Sequence, residues 1–255
     1  MKLVCLNIWG GKQTDSLKDF IQKQVATTDF FLFQEVFSNN KGLLESNGSR
    51  LNILAEIQEL APNFQSFFSP SVYRRDTKQP VDGLSFGLMT MVSPNHTCID
   101  HGDRFIYLSK EQMSPAENNS QLYPRTLQYT TLQINNRKLS LINLHGLWTP
   151  TKLDTPDRMQ QSNNIARTLN NLPGEIILGG DFNLRPETQS IQLLESKLKN
   201  LIKAYAIETT RSGLYTGFEP FADYMFVSEG IKVQEFLVPD LSVSDHRPMI
   251  ISFEL

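Results

Sequence analysis

Residues Gly179 to Thr188, GGDFNLRPET, follow the run Glu175-Ile176-Ile177-Leu178, and their interpretation organises the rest of the chain. An apolar run closed by two glycines reads as a buried strand that stops where backbone must approach something closely. Asp181 and Asn183 lie two apart, so on extended backbone their side chains leave on one face. An acid and an amide beyond a strand end suit a hydrolytic site, the acid as base or metal ligand and the amide as a neutral hydrogen-bond partner. An Asx turn capping the following helix, expected over Thr188 to Leu198, explains the same residues without any chemistry. The balance is tipped by the remaining chain, which repeats the pattern of a strand end presenting one polar group.

Upstream, Tyr123 to Ile134 and Lys138 to Leu144 read as a hairpin joined by Asn135-Asn136-Arg137, because paired Asn residues tolerate turn geometry. Arg125 opens the first strand, either as a routine edge arginine or as a functional residue. The second strand delivers Asn143 and His145 before Gly146 breaks it, and an imidazole there can donate a proton to a leaving oxygen or bond a phosphate. Thr155 to Leu172 follows as a helix with Thr155 as N-cap and Pro156 in its first turn.

Downstream, Thr216-Gly217-Phe218 reads as a substrate-side loop, and Phe221 to Val227 and Ile231 to Val238 read as strands. Ser244 to Pro248, SDHRP, precedes a closing strand over Met249 to Phe253. A carboxylate near an imidazole fixes its tautomer, but neighbours on extended backbone point to opposite faces. Asp223 is therefore the expected partner of His246, which leaves Asp245 for metal or water.

The N-terminal half carries the same signature. Lys2 to Trp9 is a strand with Asn7 near its end, closed by Gly10-Gly11, and Phe30 to Phe37 is a strand holding Glu35. A lone buried carboxylate is costly, and hard divalent cations prefer carboxylate oxygens, so Glu35 is expected to ligate a metal. Asp15 to Ala26, capped by Asp15 or Thr14, and Arg50 to Leu60 have helical apolar spacing. Asn63 to Ser69 and Asp82 to Val92 alternate as strands. Tyr73-Arg74-Arg75-Asp76 with Lys78 and the polar stretch Lys110 to Gln121 read as surface loops, and His96 and His101 as satisfied or surface histidines flanking a strand.

With 255 residues, 40% hydrophobic and 20% charged, the chain can bury a large core, and no linker or repeat divides it, so one domain over residues 1–255 is expected. A formal net charge of -3 gives no global attraction to polyanions, so a phosphate-bearing partner must be held by local arginines or metal ions. Cys5 and Cys98 are expected as two buried free thiols. Neither a bilayer-spanning segment nor a signal peptide is read from the chain, which makes a cytoplasmic monomer the default expectation.

Taken together, LNIWG, FQEV, NLHG, GGDFN, ADYMFV and SDHRP resemble, in their order and spread, the endonuclease/exonuclease/phosphatase superfamily with its deoxyribonuclease I-like fold. The resemblance implies an α/β (α+β) fold, a four-layered α/β sandwich in which two mixed β-sheets pack face to face with helices outside. It also implies Mg²⁺- or Mn²⁺-dependent hydrolysis of a phosphoester. By the family's pattern, Glu35 binds the metal with Asn7 and Asp245 nearby, and Asp181, aided by Asn183, activates water. His246, oriented by Asp223, holds a phosphate oxygen or acts as base. His145 resembles the central histidine of the deoxyribonuclease and sphingomyelinase branches, and Arg125 their phosphate-contacting arginine. Trp9 and His145 stand where the abasic-site endonuclease branch has a carboxylate and a tyrosine, which argues against DNA repair of that type. A phosphodiesterase acting on a nucleotide, nucleic-acid end, phosphorylated small molecule or lipid headgroup is the expectation; the alternatives are a phosphomonoesterase, a sphingomyelinase- or inositol-phosphatase-like hydrolase, and a non-catalytic phosphate-binding protein.

Overall fold

Phe30 to Phe33 are consecutive apolar residues, a pattern that only a sheet covered on both faces accepts. A computed structural model describing residues 1–39, 47–73, 83–109, 112 and 123–255 shows both covers. Phe30 and Leu32 lie between the sheets together with Leu3, Cys5 and Leu141, and Gly179 of the second sheet comes up against Cys5 and Leu32. Phe31 and Phe33 face the other way, against Leu17, Phe20, Ile53 and Ile57. Alternate residues of one strand thus enter two separate apolar layers.

In chain order the elements are β1 (Lys2–Asn7), α1 (Thr14–Val25), β2 (Phe30–Ser38), α2 (Ile53–Leu60), β3 (Gln65–Tyr73), β4 (Ser85–Val92), β5 (Thr97–Tyr107), β6 (Arg125–Ile134), β7 (Arg137–His145), α3 (Pro156–Leu169), β8 (Glu175–Asp181), α4 (Gln189–Glu195), β9 (Lys199–Asn200), α5 (Leu201–Ala204), β10 (Asp223–Val227), β11 (Lys232–Leu237) and β12 (Met249–Glu254). They form two six-stranded sheets of order β11-β12-β1-β2-β4-β3 and β5-β6-β7-β8-β10-β9. This is the expected sandwich of two mixed sheets with helices outside. Each sheet has one parallel pair, β1 with β2 and β7 with β8, among antiparallel neighbours. Parallel strands end on the same side, so Asn7, Glu35, His145 and Asp181 arrive at one edge of the sandwich.

The second pair closes flush: His145 registers with Asp181 and Leu144 with Gly180. Gly180 has φ of +150° there, and a Cβ would lie 2.0 Å from the Leu144 carbonyl oxygen. A side chain at this position would wedge the two strands apart. In the first pair β2 is bulged between Phe33 and Val36 in its pairing with β4, and Glu35 sits in the bulge at φ +60°.

Local details follow the expected chemistry with some corrections. Thr155 caps α3, its hydroxyl accepting from the Arg158 amide at 3.2 Å, and Pro156 opens the helix. At α1, neither Thr14 nor Asp15 is the cap: Thr14 is the first helical residue, and its Oγ1 donates to the Gly11 carbonyl at 2.7 Å. Arg137 belongs to β7, leaving Asn135 (φ +52°) and Asn136 as the hairpin turn. His101 lies inside β5 rather than beyond its end, its ring tilted against that of Phe67 at 4.4 Å between centroids. His96 pairs with Asp29 at 2.6 Å. Cys5 is a buried free thiol, but Cys98 is only partly buried because it lies on the edge strand β5. The basic loop after Tyr73 and, Gln112 apart, the polar stretch from Lys110 lie outside the described residues. No described helix is long and apolar enough to cross a membrane.

Candidate active site

Strand ends and loops from both sheets converge on a cleft of about 310 Å³ whose lining includes Glu35, Arg125, His145, Asp181, Asn183, Asp245 and His246. Asn7 is fully buried among them. Its Nδ2 donates to Glu35 Oε1 (3.2 Å) and to Asp181 Oδ2 (3.0 Å), while its Oδ1 accepts from the Trp9 amide (3.0 Å). Asn7 therefore presents hydrogens rather than its oxygen to the acids. It forms a bridge between the carboxylates of the two sheets.

Asp181 Oδ1 accepts from the Asn183 amide at 2.9 Å, and Asn183 has φ of +56°. The two side chains do not share an extended face, since β8 ends at Asp181; an Asx turn aims the acid instead. The turn and the chemistry are thus compatible readings of one stretch. Asn183 Oδ1 accepts from the buried Lys152 ammonium, whose pKa burial pushes down to about 8. Burial opposes ionisation of Asp181, but His246, His145, Arg211 and Lys152 outweigh it and hold the carboxyl far below the usual range.

His246 Nδ1 lies 2.8 Å from Asp223 Oδ2, the pairing expected from sequence. Burial works against the imidazolium, yet the Asp223 carboxylate raises the pKa of His246 above the usual value. Asp245 does face the same cleft as its neighbour His246, because residues 243–248 precede β12 and are not pleated strand. Burial raises the Asp245 pKa, with Glu35 and Asp181 adding repulsion. His145 Nε2 stands 3.7 Å from Asp181 Oδ2 and 4.0 Å from Glu35 Oε1. Burial, and then Arg125, pushes the His145 pKa down to about 4. Arg125 itself is buried within β6, which β5 covers, and is not an edge arginine.

A divalent cation fits this donor set. Glu35, Asp181 and Asp245 are hard oxygen donors on one cleft, and burial raises the cost of their mutual repulsion. Ligand atoms of Asp181, Asp223 and His246 also lie within 4.8 Å of one another. Asp223 is already engaged by His246 Nδ1 and does not line the cleft, so Glu35, Asp245 and Asp181 are the better-placed acids.

Several site residues escaped the sequence reading. Arg211 is buried, its NH1 contacts His246 Nε2 and lies 3.6 Å from Asp245 Oδ2, and its guanidinium stacks 4.1 Å from the Tyr215 ring centroid. Arg211 and Lys152 come from irregular segments, where nothing local separates a buried cation from a solvated one. Arg158 was detectable, since it shares a helical stripe with Ile165 and Leu169. It is fully buried and donates to the carbonyls of Leu153 (2.8 Å) and Leu147 (3.2 Å), holding the loop that carries Trp148 and Lys152. Of the loop expected on the substrate side, Thr216-Gly217-Phe218, no residue is among those lining the cleft and Phe218 is fully exposed; the cleft is lined instead by Tyr215, just before it.

Two sheets thus gather carboxylates, imidazoles and arginines at one edge of the sandwich. The family model described as Endonuclease/Exonuclease/phosphatase family matches residues 4–246, and the chain belongs to that family. A UPF0294 protein of Vibrio vulnificus is 29% identical over 138 residues, covering 52% of this chain and 45% of the relative. The match therefore spans less than half that relative's length. Among solved structures, an endonuclease/exonuclease/phosphatase family protein from Leptotrichia buccalis has a TM-score of 0.74 at 17% identity, with full coverage (100%) of both chains. A mannosyl-6-phosphatase from Bacteroides thetaiotaomicron has 0.72 at 16%, again covering 100% of both. The human Nocturnin catalytic domain with bound sulfate has 0.69 at 17%, covering 100% of this chain and 94% of that one. At these identities the likeness concerns the fold.

Proposed function

We propose that the chain is a divalent-metal-dependent phosphodiesterase in which Asp181 orients the attacking water. The observation carrying this reading is that Asp181 Oδ2 stands 3.7 Å from both His145 Nε2 and His246 Nε2 while Asn7 links it to Glu35. Water bound between an ionised carboxylate and two imidazoles has its lone pair directed into the cleft. Glu35 and Asp245 would hold Mg²⁺ or Mn²⁺, which supplies Lewis-acid stabilisation of charge on the phosphoryl oxygens. Arg211 adds positive charge where the diester's anion sits, and His246 is held in one tautomer between Asp223 at Nδ1 and the Arg211 guanidinium, which donates to Nε2. Asn183 Nδ2 is buried without a partner among the described residues and supplies a further donor to a phosphoryl oxygen. His145, neutral across the working range by its lowered pKa, serves the leaving oxygen by hydrogen bonding rather than as a charged acid.

The mouth supports an anionic substrate. Lys12 lies 4.3 Å over the Trp9 ring centroid and Lys152 5.5 Å over that of Trp148, so the aromatic faces at the rim already carry cations. A positively charged headgroup is poorly served by such a rim.

The test is hydrolysis of bis-p-nitrophenyl phosphate beside the p-nitrophenyl monoester, with Mg²⁺ or Mn²⁺, with EDTA, and with His246→Ala purified in parallel. Diester turnover abolished by EDTA and reduced on the order of 10³-fold in the variant is expected. Monoester preference would replace the reading with a phosphatase, and wild-type turnover in EDTA would remove the metal from it.

A further inference from the structure

Resting on the proposed metal role of Glu35, we infer that Gln34 and Asn143 form a cross-sheet positioning pair that sets the β2 bulge and thereby aims the Glu35 carboxylate. The bulge makes Glu35 adopt φ +60° on a strand, a conformation that costs about 1–3 kcal/mol for a residue with a side chain and persists only where surroundings impose it. Those surroundings come from the other sheet. Asn143, on β7 two residues before His145, is fully buried and donates through Nδ2 to the carbonyls of Phe33 (3.0 Å) and Met89 (3.1 Å). Phe33 and Met89 are the last registered pair of β2 and β4 before the bulge. Asn143 Oδ1 in turn accepts from Gln34 Nε2 at 2.7 Å, and Gln34 immediately precedes Glu35.

One asparagine of the second sheet thus fastens the bulge on its N-terminal side through three hydrogen bonds, and the same strand ends in His145. Gln34 Oε1 has no partner among the described residues, so its amide is engaged through Nε2 only, toward Asn143, the Leu32 carbonyl and the Cys5 sulfur. Burying an unsatisfied oxygen is unfavourable, whereas an apolar residue of the same length would avoid that cost. A glutamine here makes sense where bulge geometry matters more than core stability. The pair couples the first sheet's carboxylate to the second sheet's histidine.

A second buried amide, Gln128, provides the internal control. It donates to the Phe67 carbonyl (3.0 Å) and Ser69 Oγ (2.9 Å) and accepts from Thr90 (2.6 Å); although it is the cross-strand neighbour of Asn143, it bonds the first sheet through β3 and β4 and does not touch β2. Mn²⁺ alone is titrated into metal-free full-length protein and the free ion is read by electron paramagnetic resonance, with thermal melts recorded alongside, for Gln34→Met, Asn143→Ser, Gln128→Met and Glu35→Gln. Gln34→Met and Asn143→Ser should each weaken Mn²⁺ binding about tenfold or more, the usual effect of removing a group that orients a ligand. Gln128→Met should melt lower than Gln34→Met yet bind Mn²⁺ as wild type does. On the diester substrate, Gln34→Met should lower kcat at saturating Mn²⁺ with KM little changed. If one of the two variants does not fold, the other decides.

Wild-type Mn²⁺ affinity in a folded Gln34→Met or Asn143→Ser, with Glu35→Gln impaired, overturns the pair's role alone. Equal weakening by Gln128→Met overturns it as well, reducing the pair to general core polarity. Undiminished binding in Glu35→Gln instead removes the metal role of Glu35 on which the inference rests.

Discussion

The two parallel strand pairs deliver equivalent cargo by different means. In the second sheet β7 and β8 run in unbroken register to His145 and Asp181, and a glycine is required because the strands lie so close. In the first sheet β1 and β2 register from Leu3 with Phe30 to Asn7 with Gln34, and then a bulge throws Glu35 into the left-handed region. One half of the site is held by an ordinary ladder and the other by a strained backbone tied down from across the sandwich. A regular ladder aims side chains only perpendicular to the sheet, so an acid that must lean toward the opposite sheet needs a break in the pleat. Trp9, Glu35 and Asn183, three of the six described non-glycine residues with positive φ, line the cleft. Strain is concentrated where direction matters.

Four changes would break or sharpen this contrast. Asp181→Ala removes the acid at the end of the regular pair and should lower kcat/KM on the diester about 10³-fold, or about 4 kcal/mol of barrier, with the melting temperature preserved; turnover within tenfold of wild type would show that the regular half does not carry the chemistry. Gly180→Ala drives a methyl toward the Leu144 carbonyl and should cost about 3 kcal/mol of stability by urea unfolding. A neutral result would mean that the ladder yields easily and that the two halves differ less than their geometry indicates.

Glu35→Gly should have the opposite sign. Glycine adopts φ +60° freely, so a gain of about 1 kcal/mol in stability from the relieved backbone is expected together with lost activity. Destabilisation would show that the bulge is not strained.

The smallest effect concerns acid. Glu56 on α2 is bonded by Arg50 Nε at 2.7 Å and paired with Lys18 of α1, and although burial pushes its pKa up, these cations bring it below the usual glutamate range. A lowered folded pKa means that the stabilisation is complete above the unfolded value and is lost as pH falls through the folded one. Glu56→Gln should therefore cost about 1 kcal/mol at neutral pH and nothing below about pH 3, as followed by urea unfolding across that range. A constant difference at all pH values would place the effect in packing instead of charge.

Much of this site was legible one residue at a time. Polar groups interrupting apolar strands at Asn7, Glu35, His145, Asp181 and Asp223 are conspicuous because burial without a partner is costly, and each lies at the cleft or directly behind it. The pairing of His246 with Asp223 was legible too, although the pleat argument that led to it does not apply to residues 243–248. Arg211 and Lys152 were not, since a cation in an irregular segment carries no periodicity to contradict. Phe218 shows the converse: an aromatic residue in a suggestive loop can simply face solvent.

The sequence by itself determined which strands are buried on both faces, where each stops, and which polar groups stand at those stops, because apolar periodicity and glycine placement are local consequences of solvation and backbone freedom. Only the tertiary structure decided how those groups meet. That Asn7 turns its amide hydrogens toward two acids, that Asp181 is aimed by a turn, and that Asn143 reaches across to fasten the bulge beneath Glu35 all depend on contacts between residues far apart in the chain or on backbone angles that no local pattern encodes.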